Sequence, residues 1–158
     1  MNSLSDKEMQ EILNGIMFNT TEQMANIKIK SDVGSLSQDV CTINTSFQGN
    51  CKATLSLLAD KSFLLRLTQE IFQNENVSKQ DIEDASIEYL NVICGRLVNK
   101  VFSLVHKPTK FDIPVFQNGS HILNEHTQYC CELYYVNNYN EGILLILEFS
   151  VLLNDNKK

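Results

Sequence analysis

The sequence predicts an α+β fold in which long helices pack on one face of a mostly antiparallel sheet. Three observations lead there. The chain has 158 residues, the length of one domain and enough to bury a core of its own. Its apolar residues recur at helical spacing in three segments and alternate in the others. The strand-like segments come in runs before and after the helices, which favours an α+β layer over parallel βαβ units.

The elements follow in order. Ser5 and Glu8 form a capping box, each side chain able to satisfy an orphan backbone N–H. Met9, Ile12, Leu13, Ile16 and Met17 then keep helical spacing, predicting a helix to about Met24. Val40 to Phe47 alternates and is rich in Thr and Ile. Gln48-Gly49-Asn50 supplies a turn, and Cys51 to Leu58 the returning strand of a hairpin. Asp60 is placed to cap a short helix through Phe63, Leu64, Leu67 and Ile71, ending near Asn74. Ser78 opens the longest helix, with Asp81, Glu83 and Asp84 favouring its N-terminal dipole. Its periodicity runs through Val105, and Pro108 ends it. Phe111–Phe116, Gln128–Val136 and Gly142–Leu153 are strand-like, the last two joined by the turn-rich Asn137–Glu141. With no long repeat, low-complexity stretch or linker, the expectation is one domain over residues 1–158, its core about 5–153.

Composition narrows the function. The chain is 43% hydrophobic and 20% charged, as globular proteins are. Thirteen basic against nineteen acidic residues leave a net charge of −6, unsuited to a phosphate-backbone surface. Only two of the basic residues are Arg, and there is no Trp. Nucleic acid is therefore not an expected partner. The longest apolar stretch, Ile143 to Leu153, is interrupted by Glu148 and Ser150, far short of the roughly 20 residues a membrane helix needs. The polar start, Met1 to Lys7, does not read as a secretory signal. Five cysteines at 41, 51, 94, 130 and 131, with no Cys-x-x-Cys pair, fit reduced thiols in the cytoplasm. His121, Glu125 and His126 share a loop without metal-site spacing. Tyr129, Tyr134, Tyr135 and Tyr139 lack flanking cations and are expected to pack on strands.

The informative feature is a polar stripe on the long helix. At 100° per residue, Asp84, Glu88, Asn91, Gly95 and Asn99 fall within about 80° of one another. Leu90, Cys94, Leu97, Val101 and Leu104 cluster on the other side. Glu88 and Asn91, three apart, are side-chain neighbours. Gly95 in a helix interior costs about 1 kcal/mol relative to Ala. Either a close-approaching partner or tight packing on a strand would account for it. With 17 Asn and 11 Glu, Glu-x-x-Asn is expected about once by chance from composition alone. It occurs twice, at Glu11–Asn14 and Glu88–Asn91.

Context separates the two. The stretch Asp84-Ala85-Ser86-Ile87-Glu88-Tyr89-Leu90-Asn91-Val92-Ile93-Cys94-Gly95-Arg96-Leu97 resembles the active-site helix of the CheC/CheX/FliY phosphatases. Members carry an acid, then Glu-x-x-Asn, then a small hydrophobic run to Gly. The element order over residues 8–153 resembles CheX, which keeps one motif helix where CheC has two. Glu11–Asn14 does not fit: Lys7 stands four before Glu11, and no Gly stands four after Asn14. Two departures touch partner choice, Cys94 where Ala is common and Arg96 where Lys or Asn is more familiar.

The resemblance implies a cytoplasmic phosphatase acting on the aspartyl phosphate of a phosphorylated CheY-type receiver domain. It implies that Asn91 orients the attacking water and that Glu88 pairs with the receiver's Lys. Asp84 would assist at the rim, and Gly95 would give the partner room. It implies no cofactor of the chain's own, with Mg²⁺ on the receiver, and a homodimer joined through the sheets. A non-catalytic binding module on the same fold, and a receiver from another two-component pathway, remain open.

Overall fold

A computed structural model of the chain describes residues 5–34, 36–49, 52–105, 109–121 and 129–150, leaving aside the side chains of 101–105, 129 and 150. Helix α1 is Asp6–Ala25 and carries both bonds of the Ser5/Glu8 capping box. Asn26 ends it in the left-handed conformation, φ 54°, a geometry that Asn tolerates well. The short strand β1, Ile29–Asp32, was not legible in the sequence, because four residues are too few to show an alternation. The hairpin β2 (Val40–Gly49) and β3 (Lys52–Asp60) pairs antiparallel with Ile43 opposite Leu57.

Helix α2 is Lys61–Phe72. Asp60 stands at its N-cap, but its side chain makes no cap bond. The carboxylate turns instead to the backbone N–H groups of Ser37 and Gly142, both at 2.8 Å. Two backbone donors from other segments outweigh one helix end, because a buried N–H without a partner is expensive. Helix α3, Lys79–Val105, is 27 residues long. The Ser78 hydroxyl accepts from Asp81 N at 3.0 Å, and Ser78 N donates to the Asp81 carboxylate at 2.9 Å.

The strand expected over Phe111–Phe116 is two: β4 (Thr109–Phe111) and β5 (Val115–Asn118), both paired with β2. Pro114 lies between them and lacks the N–H that a continuous ladder needs. β6 (Tyr129–Asn137) and β7 (Gly142–Ser150) form the C-terminal hairpin. Pro108, Gln128 and 151–153, which bounded the expected elements, lie outside the described residues.

The sheet runs β1-β6-β7-β3-β2-β4, with β5 beside β4's partner β2. Alternation along the strands sorts the residues. Ile43, Leu55, Leu57, Ile143, Leu145 and Leu147 join Leu13, Met17, Phe63, Leu67, Leu90 and Ile93 in one core, which places the helices on that face. Leu58, Leu144 and Ile146 form a smaller cluster with Leu36 and Tyr134 on the other face. Residues 119–121 also cross that face. The Thr42 hydroxyl donates to Gly119 O at 2.7 Å and accepts from His121 N at 2.9 Å. Among the described residues, no helix is long and apolar enough to cross a membrane.

Candidate functional site

Helix α3 is held on three sides. Tyr89, fully buried, packs against Phe63 of α2 with centroids 6.2 Å apart. Its hydroxyl meets the Thr21 hydroxyl of α1 at 2.6 Å, and Thr21 also donates to Met17 O. Burial raises the Tyr89 phenol although the Thr21 bond pulls the other way, so it stays neutral. Arg96 reaches across to α1, donating to the Thr20 hydroxyl at 2.9 Å and to Gln23 Oε1 at 2.8 Å. Leu90, Ile93, Cys94 and Leu97 are buried beneath. Burial pushes the Cys94 thiol up to about 12, which makes it a core residue and not a nucleophile. Val101 and Leu104, expected in this face, have side chains outside the described residues.

The opposite face of α3 carries the stripe. Asp84, Glu88 and Asn99 are exposed, while Asn91 and Gly95 are half-buried. The Asp84 carboxylate accepts from Gln80 Nε2 at 2.9 Å. Among the described residues, the side chains of Glu88 and Asn91 make no hydrogen bond or ion pair. A Cβ added at Gly95 would meet nothing within 4 Å. Tight packing on a strand is therefore not why Gly stands there.

The other Glu-x-x-Asn pair differs in kind. The Asn14 carbonyl accepts from the Tyr135 hydroxyl at 2.6 Å, so its amide is engaged with the sheet. Tyr135 is buried on its strand, edge-on to Phe18. Tyr139 is not a strand residue: it lies in the β6–β7 turn, with the Arg66 guanidinium 3.6 Å from its ring centroid. His121 Nε2 lies 2.7 Å from Asn118 O. Glu125 and His126 are outside the described residues. Among the described residues, no three His, Cys, Asp or Glu side chains are grouped to hold a metal. Cys131 is buried and its neighbour Cys130 exposed, as alternation on a strand requires.

Sequence reasoning missed the braces. Tyr89 and Arg96 sit inside the motif, yet their partners on α1 are some 70 positions away, at 68 and 76 residues' separation. Gly15 was detectable as a second glycine in a helix interior. A Cβ there would also meet nothing within 4 Å.

An antiparallel sheet backed by three helices is the fold that this chain shares with CheX, CheC-like and FliY proteins. A family model described as chemotaxis phosphatase CheX matches residues 41–136, and the chain belongs to this family. No curated protein matches the sequence. Among solved structures, CheX from Vibrio vulnificus superposes with a TM-score of 0.76 at 14% identity, covering 93% of this chain and 99% of that one. CheX in the CheX–CheY–BeF3–Mg²⁺ complex from Borrelia burgdorferi gives 0.74 at 15% identity, covering 89% and 96%. Thermotoga maritima FliY gives 0.67 at 13% identity, covering 98% and 94%. At these identities the likeness is one of fold.

Proposed function

We propose that this protein accelerates hydrolysis of the aspartyl phosphate on a CheY-type receiver domain. The observation that carries the reading is the Glu88/Asn91 pair, unpartnered among the described residues, on a helix braced from behind by Tyr89 and Arg96. The family's description as a chemotaxis phosphatase and the CheX–CheY complex from Borrelia support it.

An acyl phosphate is already labile, so the chain need supply neither a nucleophile nor a strong base. It must hold one water in line with phosphorus. Water oxygen bonds to phosphorus as the bond from phosphorus to the aspartyl oxygen breaks. Inorganic phosphate and a free Asp carboxylate result. A carboxamide suits this work because it donates and accepts hydrogen bonds without placing negative charge beside a phosphoryl group. Asn91 takes that role. Glu88, one turn earlier, anchors the partner through a charge-assisted pair with the receiver's Lys. Asp84 stands at the rim, and Gly95 leaves space for the approaching surface. The Mg²⁺ of the reaction is assigned to the receiver.

The test is phosphate release from a phosphorylated receiver of the same genome. Wild type is expected to accelerate it, and Asn91→Ala to lose on the order of 10²-fold in rate with its circular dichroism unchanged. An Asn91→Ala protein as fast as wild type would refute the role.

A further inference from the structure

We infer that the groove between α1 and α3, centred on Gly15, is the second half of the receiver-docking surface; this rests on the phosphatase reading above. The groove has a volume of about 510 Å³ and is walled by Glu8, Glu11, Gly15 and Asn19 of α1 and by Arg96 and Lys100 of α3.

Three observations converge on it. The first is a matched pair of glycines. Gly15 lies mid-way along α1 and Gly95 well inside α3, and each weakens its helix by about 1 kcal/mol relative to Ala. Neither has a left-handed φ, and neither faces an atom within 4 Å of where its Cβ would be. The fold therefore has no internal use for either, whereas a partner approaching both helix backbones would need both.

The second is area. The stripe from Asp84 to Asn99 is about 22 Å long on a helix about 10 Å wide, some 200 Å² of surface by that rough measure. A specific interface needs on the order of 800 Å² per partner. A receiver centred on Asn91 must therefore spread onto a neighbouring element. On the Arg96 side of the stripe that neighbour is α1, which Arg96 itself clamps in place.

The third is charge. Arg96 is committed to Thr20 and Gln23 and Glu8 to the Ser5 backbone N–H, which leaves Glu11 of α1 and Lys100 of α3 as the exposed charges on the groove's two walls. The ammonium gives the groove an anchor for a carboxylate. The occupant is accordingly a loop of the receiver that carries an acidic side chain over Lys100 and sets its backbone against Gly15. Gly15 would then determine which receivers fit. It lies outside the 41–136 stretch that matches the family, so the device belongs to this chain's own N-terminal helix.

The experiment measures kcat and KM for phosphate release with wild type, Gly15→Gln, Gly15→Ala and Lys100→Glu. Gly15→Gln should fold at least as stably as wild type, because its Cβ meets nothing. It should raise KM about tenfold or more with kcat nearly held. Gly15→Ala should give a smaller rise. Lys100→Glu should raise KM and flatten its dependence on salt. If wild type accelerates release and Gly15→Gln matches it in KM, the docking inference falls and the phosphatase reading stands. If wild type accelerates no receiver, the phosphatase reading falls and takes this with it. If Gly15→Gln changes sedimentation and not KM, the groove receives a second copy of the chain, which also overturns the inference.

Discussion

In the function we propose, Asn91 and Glu88 divide one task between a neutral and a charged side chain. Asn91→Asp tests the division: it keeps the size and adds a negative charge beside the phosphoryl group. We expect it to lose phosphate-release activity about as far as Asn91→Ala, a comparison of single-turnover rates being the check. Glu88→Gln keeps size and removes charge, so its defect should fall on KM more than on kcat. Its apparent affinity should also lose salt sensitivity, as a broken ion pair requires. A Glu88→Gln protein with unchanged KM would show that the carboxylate anchors nothing.

At the scale of the element, the proposed function gives α3 a trade between stability and access. Gly95→Ala should stabilise the helix by up to about 1 kcal/mol, because the new methyl meets nothing. Urea unfolding would show the gain, and the same protein should need more receiver to reach half its maximal rate. The start of α3 behaves in the opposite sense. Ser78→Ala removes one bond of the reciprocal pair with Asp81 and should cost about 1 kcal/mol. Activity at saturating receiver should be untouched, since the cap lies more than three turns from Asn91. Proteins that separate in this way distinguish residues serving the helix from residues serving the partner.

Across the whole molecule, one polar knot ties α2 to the C-terminal hairpin. Arg66 grips Glu141 with two bonds of 2.9 and 3.1 Å, and Asn137 adds a third at 2.8 Å. Burial by itself would raise the Glu141 carboxyl. The bonds from Arg66 and Asn137, with the Arg66 charge, outweigh it and hold the group below its ordinary value of 4.5. The folded form thus binds its proton less readily than the unfolded chain does. The stabilisation is present at neutral pH and fades as pH falls below about 4.5 and through the folded value. Glu141→Gln should lower the urea midpoint at pH 7 and flatten its decline toward acid; an equally steep decline would mean that other carboxylates carry it.

Assembly belongs to the same scale. β7 lies between β6 and β3 in the sheet, so it offers no free edge to a second chain. β1 pairs only with Tyr134–Asn137 of β6. The homodimer that the family resemblance implies is proposed for this chain too, and sedimentation at micromolar concentration should then give twice the 18.0 kDa chain mass.

The sequence by itself determined the order and kind of the long elements. Their information is local: the spacing of Met9 to Met17, the caps at Ser5 and Ser78, and the alternation in Val40–Phe47 are all set by neighbours a few residues away. For the same reason it showed the Glu88/Asn91 stripe, since one helix turn brings those residues together whatever surrounds them. Short or interrupted strands escaped it, β1 for its length and β4–β5 for Pro114. What the tertiary structure alone decided is which polar groups are already engaged. Asn14 and Asn91 stand in the same three-residue pattern, yet only Asn14 is met by a tyrosine 121 positions away. Asp60 leaves its helix cap for backbone donors brought from two other segments. Hydrogen-bond satisfaction depends on distant chain segments meeting in space, so no reading of neighbours along the chain could have assigned it.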